Sequence, residues 1–110
     1  MRSKLSTLIG LLAFGACLFI LNTTLQAAPD AADVFKQKCS MCHGADGKGF
    51  AALKTPDFTS AKVQASLTDK EIADSIKNGR KGTAMPAFGD QLNDSQIQSL
   101  VTYIRSLKKK

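Results

Sequence analysis

Cys39-Ser40-Met41-Cys42-His43 is the stretch on which the reading of this chain turns. On a helix, positions i and i+3 share a face. Two thiols at that spacing can add to the two vinyl groups along one edge of a porphyrin. His43 follows Cys39 by four residues, on the same side, and can bring an imidazole nitrogen to a central iron. C-x-x-C-H is the attachment signature for c-type haem, one haem per motif. Three other uses of two cysteines stand beside it. A thioredoxin-type redox motif wants a preceding strand and a βαβ pattern, and no such strand is legible. A zinc site wants a second pair of ligands. A plain disulfide is chemically open but leaves a small domain short of core.

Outward from the motif, the 110 residues suffice for one small domain. Fifteen Lys and Arg against nine Asp and Glu give a net charge of +6. Hydrophobic residues at 44% and charged residues at 22% are a globular balance. They exclude a disordered chain, a collagen and a multi-span membrane protein. Three cysteines are too few for a disulfide-dense scaffold. With no tryptophan and one tyrosine, aromatic stacking on nucleic acid has little to work with, and no nucleic-acid partner is expected.

The N-terminus reads as an export signal. Arg2 and Lys4 open it, and no further charge appears before Asp30. Leu8 to Leu21 is an apolar run of 14 residues, followed by a polar and small-residue exit ending Gln26-Ala27-Ala28. These are the three parts of a signal peptide, residues 1–27, cleaved after Ala27. An uncleaved anchor over Leu5 to Leu21, 17 residues, is the alternative. A lipoprotein cysteine at Cys17 is disfavoured because the apolar run continues beyond it. Cleavage leaves residues 28–110, 83 residues with charge +4 and only Cys39 and Cys42, delivered to the periplasm. A domain near this size has a thin core and often needs a staple.

The rest of the chain reads as helix and loop. Asp30 is a candidate N-cap with Asp33 in the first turn, and Ala31, Val34, Phe35 and Lys38 fall at helical spacing. Gly44 ends that helix after the motif. Gly44 to Ser66 reads as one long loop, unusual in a compact domain unless it wraps a ligand. Its G-x-x-G-x-G has no preceding strand and no Lys-Ser/Thr pair, which argues against a phosphate loop. Thr68 with Glu71 forms a capping box for a helix to about Lys77, with Ile72, Ala73 and Ile76 on its apolar face and Asn78-Gly79 ending it. Arg80 to Gln91 is too irregular for a helix. Asn93 with Gln96 caps a last helix whose stripe is Ile97, Leu100, Val101, Ile104 and Leu107, bordered by Tyr103. Lys108 to Lys110 is a solvated, dipole-favoured end.

From Asp30 to Leu107 the chain resembles the class I c-type cytochromes in their short bacterial monohaem form. The resemblance implies an all-α fold with N- and C-terminal helices crossing over a covalently bound haem. It implies that Phe35 packs on Leu100 and Tyr103. It implies that the Pro56 carbonyl accepts the proton on the outer nitrogen of His43, fixing the imidazole, and that Phe58 touches the macrocycle. The family's second iron ligand is a methionine in a loop before the last helix, commonly followed by proline, and Met85-Pro86 fits. Met41, between the cysteines, must point off the haem-bonded face, so Met85 is the thioether available after cleavage. Core packing is the ordinary use of such a methionine. Larger relatives hold the haem propionates with a tryptophan, which this chain lacks.

His43 and Met85 as metal ligands leave iron no open position. The expected function is a periplasmic electron carrier, not an enzyme, passing single electrons on one haem c. The expected state is a monomer with no membrane span after cleavage. Lys38, Lys48, Arg80 and Lys81 would steer redox partner proteins that are acidic at the docking face. Two alternatives stand: a haem relay subunit of a membrane oxidase or dehydrogenase complex, and a haem sensor with a labile Met85.

Overall fold

A computed structural model describes residues 29–110. The expected signal peptide, residues 1–27, lies outside the described residues. Among the described residues, four α-helices start from a side chain that accepts from one of the first N–H groups. In α1 (Ala31–Lys38), the Asp30 carboxylate accepts from the Ala32 N–H, as the N-cap reading expects. The chain breaks at Cys39, which closes α1 and opens the single turn α2 (Ser40–His43), ended by Gly44.

Two later helices carry complete capping boxes. In α4 (Asp69–Asn78) the Thr68 side chain accepts from the Glu71 N–H and Glu71 returns the bond; in α5 (Asp94–Ser106) Asn93 and Gln96 do the same. Leu67 and Ile72, and Leu92 and Ile97, sit at the N′ and N4 positions of these helices, the places of a hydrophobic staple. The buried Leu92 was not in the expected apolar stripe; the sequence places it beside an irregular loop.

The segment expected as one loop, Gly44 to Ser66, contains a 3-10 turn (Ala51–Leu53) and a helix, α3 (Ala61–Ser66). Six residues are too few to display a 3.6-residue period, so α3 has no stripe to read. Its N-cap Ser60 accepts from the Val63 N–H.

The helices α1 and α4 both pack on α5. Phe35 and Leu100 are the most deeply buried large side chains, and the Phe35 and Tyr103 rings lie 5.2 Å apart at 55°. This is the aromatic–aliphatic crossing expected of the first and last helices. Among the described residues all regular structure is helical, and none of it is long and apolar enough to cross a membrane. The cationic tail is exposed, but the Lys109 N–H donates to the Thr59 carbonyl and ties it to the loop before α3.

Candidate haem site

The turn of α2 sets the two cysteines and the histidine. The Cys42 and His43 N–H groups both point at the Cys39 carbonyl, at 3.1 and 2.9 Å. Both cysteines are half-buried free thiols. Burial pushes the Cys39 thiol up to about 11, with Lys38 opposing and Cys42 reinforcing, so it stands as a neutral thiol. Burial also lowers the His43 pKa, which favours the neutral imidazole that a metal needs.

An apolar cleft opens beside this turn. It brings together five of the six residues expected at the cofactor: Cys39, His43, Pro56, Phe58 and Met85. Cys42 is not on its wall; it sits one residue before His43 on the same turn. Ile72 and Ile76 of α4 and Leu100 and Ile104 of α5 complete the apolar lining. Glu71, Ser75 and Arg80 supply the polar side chains. Donation from the Thr68 N–H and hydroxyl holds the Glu71 carboxyl below its usual range, with Arg80 adding to it.

The imidazole of His43 is flanked by two rings. Phe58 stacks on it at 5.1 Å and 17°, and Phe35 lies 6.4 Å away at 46°. The expected bond from His43 to the Pro56 carbonyl is not made: His43 Nδ1 is buried without a partner. The loop is instead tied backbone to backbone, the Gly49 N–H donating to the His43 carbonyl at 2.7 Å. Gly49 has φ +71, and a Cβ there would stand 2.8 Å from the Pro56 carbonyl oxygen and 2.6 Å from that of Thr55. Glycine thus lets the chain at Gly49 pass close to the Thr55–Pro56 limb of the same loop.

Met85 is half-buried on the wall formed by the loop after α4, whereas Met41 is 87% exposed, pointing away as expected. The loop is pinned to the end of α4. Arg80 N–H donates to the Met85 carbonyl at 3.2 Å, Phe88 N–H to Ile76 at 2.9 Å and Gly89 N–H to Lys77 at 3.0 Å.

Two residues escaped the sequence reading. Gln64 is the one buried polar side chain among the described residues. Its Nε2 donates to the carbonyls of Phe58 and Ile104, at 2.7 and 2.8 Å. Arg105 Nη1 donates to the Gln64 carbonyl and Oε1, at 2.6 and 2.9 Å, and its Nη2 to the Leu67 carbonyl at 2.6 Å. Its Nε pairs with Asp69 at 2.7 Å. In the sequence, Gln64 lies in a run without a period, and Arg105 reads as an ordinary cation near a helix C-terminus.

The residues present fit haem c on three counts: two free thiols one turn apart, a half-buried imidazole with a buried, unpartnered nitrogen, and an apolar cleft that ends on a thioether. Fold and cleft together define a class I c-type cytochrome, a class whose haem is covalently attached. The chain belongs to the family described as cytochrome C oxidase, cbb3-type, subunit III, which matches residues 26–104.

The Cbb3-type cytochrome c oxidase subunit FixP of Azorhizobium caulinodans is 35% identical over 81 residues, 74% of this chain. The chain spans only 27% of that protein's length. Cytochrome c6 of Thermostichus vulcanus is 30% identical, with 87% of each chain covered. Among solved structures, the KustC0563 c-type cytochrome superposes with a TM-score of 0.67 at 30% identity, covering 74% of this chain and all of the other.

Proposed function

We propose that this chain is an exported one-electron carrier whose haem is held by Cys39, Cys42, His43 and Met85. The observation that supports it most is the cleft itself, where Cys39, His43 and Met85 meet within apolar walls. When bound, the haem iron supplies a ferric/ferrous couple. Cys39 and Cys42, both free thiols, would hold the haem covalently through their sulfurs. His43, whose neutral form burial favours, and Met85 would hold the iron, through an imidazole nitrogen and a thioether sulfur. Iron held by both residues would have no open position for a substrate, so the chemistry it would supply is electron transfer. Ile72, Ile76, Leu100 and Ile104 line the cleft and would keep water from the bound group, and a thioether ligand in a dry site would raise its reduction potential. Pro56 borders the imidazole loop and Phe58 packs on the His43 ring.

Export to the periplasm and removal of residues 1–27 are part of the proposal, supported by the charge and apolar pattern of that segment. Docking to acidic partners is supported by exposed Lys38, Lys48, Arg80 and Lys81. Two of these have local engagements: Lys38 with Gln91 at 2.9 Å and Lys48 with Asp46 at 3.9 Å. Arg80 sits on the cleft wall.

The test is a pyridine haemochrome assay, an optical spectrum and a redox titration on the protein purified from the periplasm. The expected result is one haem c per chain, a ferric Met-to-iron band and a single one-electron wave. Absence of covalent haem would refute the proposal.

The family match favours a second reading, a fixed relay within a cbb3-type oxidase assembly. It is separated from a mobile carrier by mass spectrometry of the mature N-terminus and by co-purification. A retained residue 1–27 segment and a large membrane partner in stoichiometric amount would decide for the relay.

A further inference from the structure

We propose that Gln64 and Arg105 are positioning residues for the iron-ligating imidazole, acting through Phe58, and so set the reduction potential. The inference rests on the proposed role of His43. It starts from a buried amide that an apolar core would ordinarily reject. A buried amide left without hydrogen-bond partners keeps its full desolvation cost. Gln64 avoids that cost because its two Nε2 protons and its Oε1 all have partners. Those partners come from three places: the loop carrying Phe58, the α5 carbonyl of Ile104, and the Arg105 guanidinium.

Phe58 is therefore gripped at both ends of its backbone. Its N–H donates to the Gly47 carbonyl at 2.8 Å, and its carbonyl receives Gln64 at 2.7 Å. Its ring lies nearly parallel to His43. Arg105 in turn holds Gln64 by its carbonyl and its Oε1 in a two-pronged contact, and reaches across to Leu67 and Asp69. A planar guanidinium with five fixed donors can satisfy all four oxygens; a lysine ammonium, with three, cannot. The line of contacts runs from Arg105 to Gln64, to the Phe58 backbone, to the Phe58 ring, to the His43 ring. Nothing else polar is buried among the described residues to hold this wall.

Loosening the line should let the imidazole plane rotate and admit water beside it. Both orientation and solvent exposure bear on the potential of a haem. Water stabilises the more highly charged ferric state, so the potential should fall.

The experiment uses the haem-loaded protein and compares wild type with Gln64→Leu and Arg105→Lys. Midpoint potential and low-temperature EPR g-values, which report the axial imidazole plane, are measured with thermal stability. The expected result is altered g-values and a lower potential in both variants. The ferric/ferrous balance should shift at least about threefold, roughly 28 mV for one electron. If Gln64→Leu yields no loaded protein, Arg105→Lys, which keeps the charge but not the planar fork of donors, decides alone. Lower stability with unchanged potential and g-values would overturn the proposal and leave the pair as a brace. A wild-type protein without a haemochrome signal would refute the haem ligation itself, a failure seen before any variant is made.

Discussion

Gly79→Ala should destabilise the wall that presents Met85 more than any other single-methyl change in that loop. Gly79 ends α4 with φ +71 and ψ −176, a region reached almost only by glycine. Forcing another residue there costs roughly 1–3 kcal/mol. A Cβ would also stand 2.9 Å from the Met85 carbonyl oxygen and from the Ala87 nitrogen, and 3.0 Å from the Pro86 carbonyl carbon. These are backbone atoms that cannot swing aside as a flexible side chain would. Overpacking of this kind costs about 1–3 kcal/mol more. The sum, roughly 2–6 kcal/mol, corresponds to a Tm fall of at least about 8 °C for a domain of this size. Gly82→Ala is the matched control: φ is +78, but nothing lies within 4 Å of the added methyl. It should show the backbone part alone. The assay is thermal unfolding of the haem-loaded protein by far-ultraviolet circular dichroism, with the ferric Met-to-iron band followed at low temperature. Gly79→Ala should also weaken that band, because the atoms it displaces belong to Met85 and its neighbours. A Tm for Gly79→Ala equal to that of Gly82→Ala, with the band intact, would refute the close-approach argument.

Met85→Ala should lower the reduction potential and let carbon monoxide or cyanide bind, with covalent haem retained, because Cys39, Cys42 and His43 are untouched; Met41→Ala, at a side chain 87% exposed, should change nothing. An unaltered Met-to-iron band in Met85→Ala would show the ligand to be another group. Cys39→Ala with Cys42→Ala should give no folded product, since haem supplies much of the apolar area a small core must bury; a cooperative thermal transition in that double variant would contradict this. Electron-transfer rates to an acidic partner should fall as ionic strength passes about 0.1 M, where the Debye length is about 10 Å, and flat rates would point to apolar docking.

Much of the site was legible because its signals are local. C-x-x-C-H, the two capping boxes and the apolar stripes of α1, α4 and α5 each fit within a few turns of one helix. Met85 stood out from Met41 because a residue between two cysteines on one turn cannot share their face, and the exposure of Met41 agrees. Phe35 and Tyr103 were paired through the family resemblance, and their rings do meet. The Pro56 bond came from the same source and is not made; here the loop is tied through Gly49 to the His43 backbone instead.

By itself the sequence determined the starts of α1, α4 and α5, their apolar faces and the haem c class, because a cap, a stripe or an attachment motif spans only a few residues and its physics is complete within them. Only the tertiary structure decided what presses on the imidazole and what holds the methionine loop. The contact of Gln64 with Arg105 joins residues 41 apart in sequence, and the Gln64 bond to Ile104 joins residues 40 apart. Such pairs carry no period, since a buried amide is tolerated only where distant backbone carbonyls converge on it. The same holds for Gly79: one absent methyl matters because the Met85 backbone returns against the end of α4, and that return is made in three dimensions.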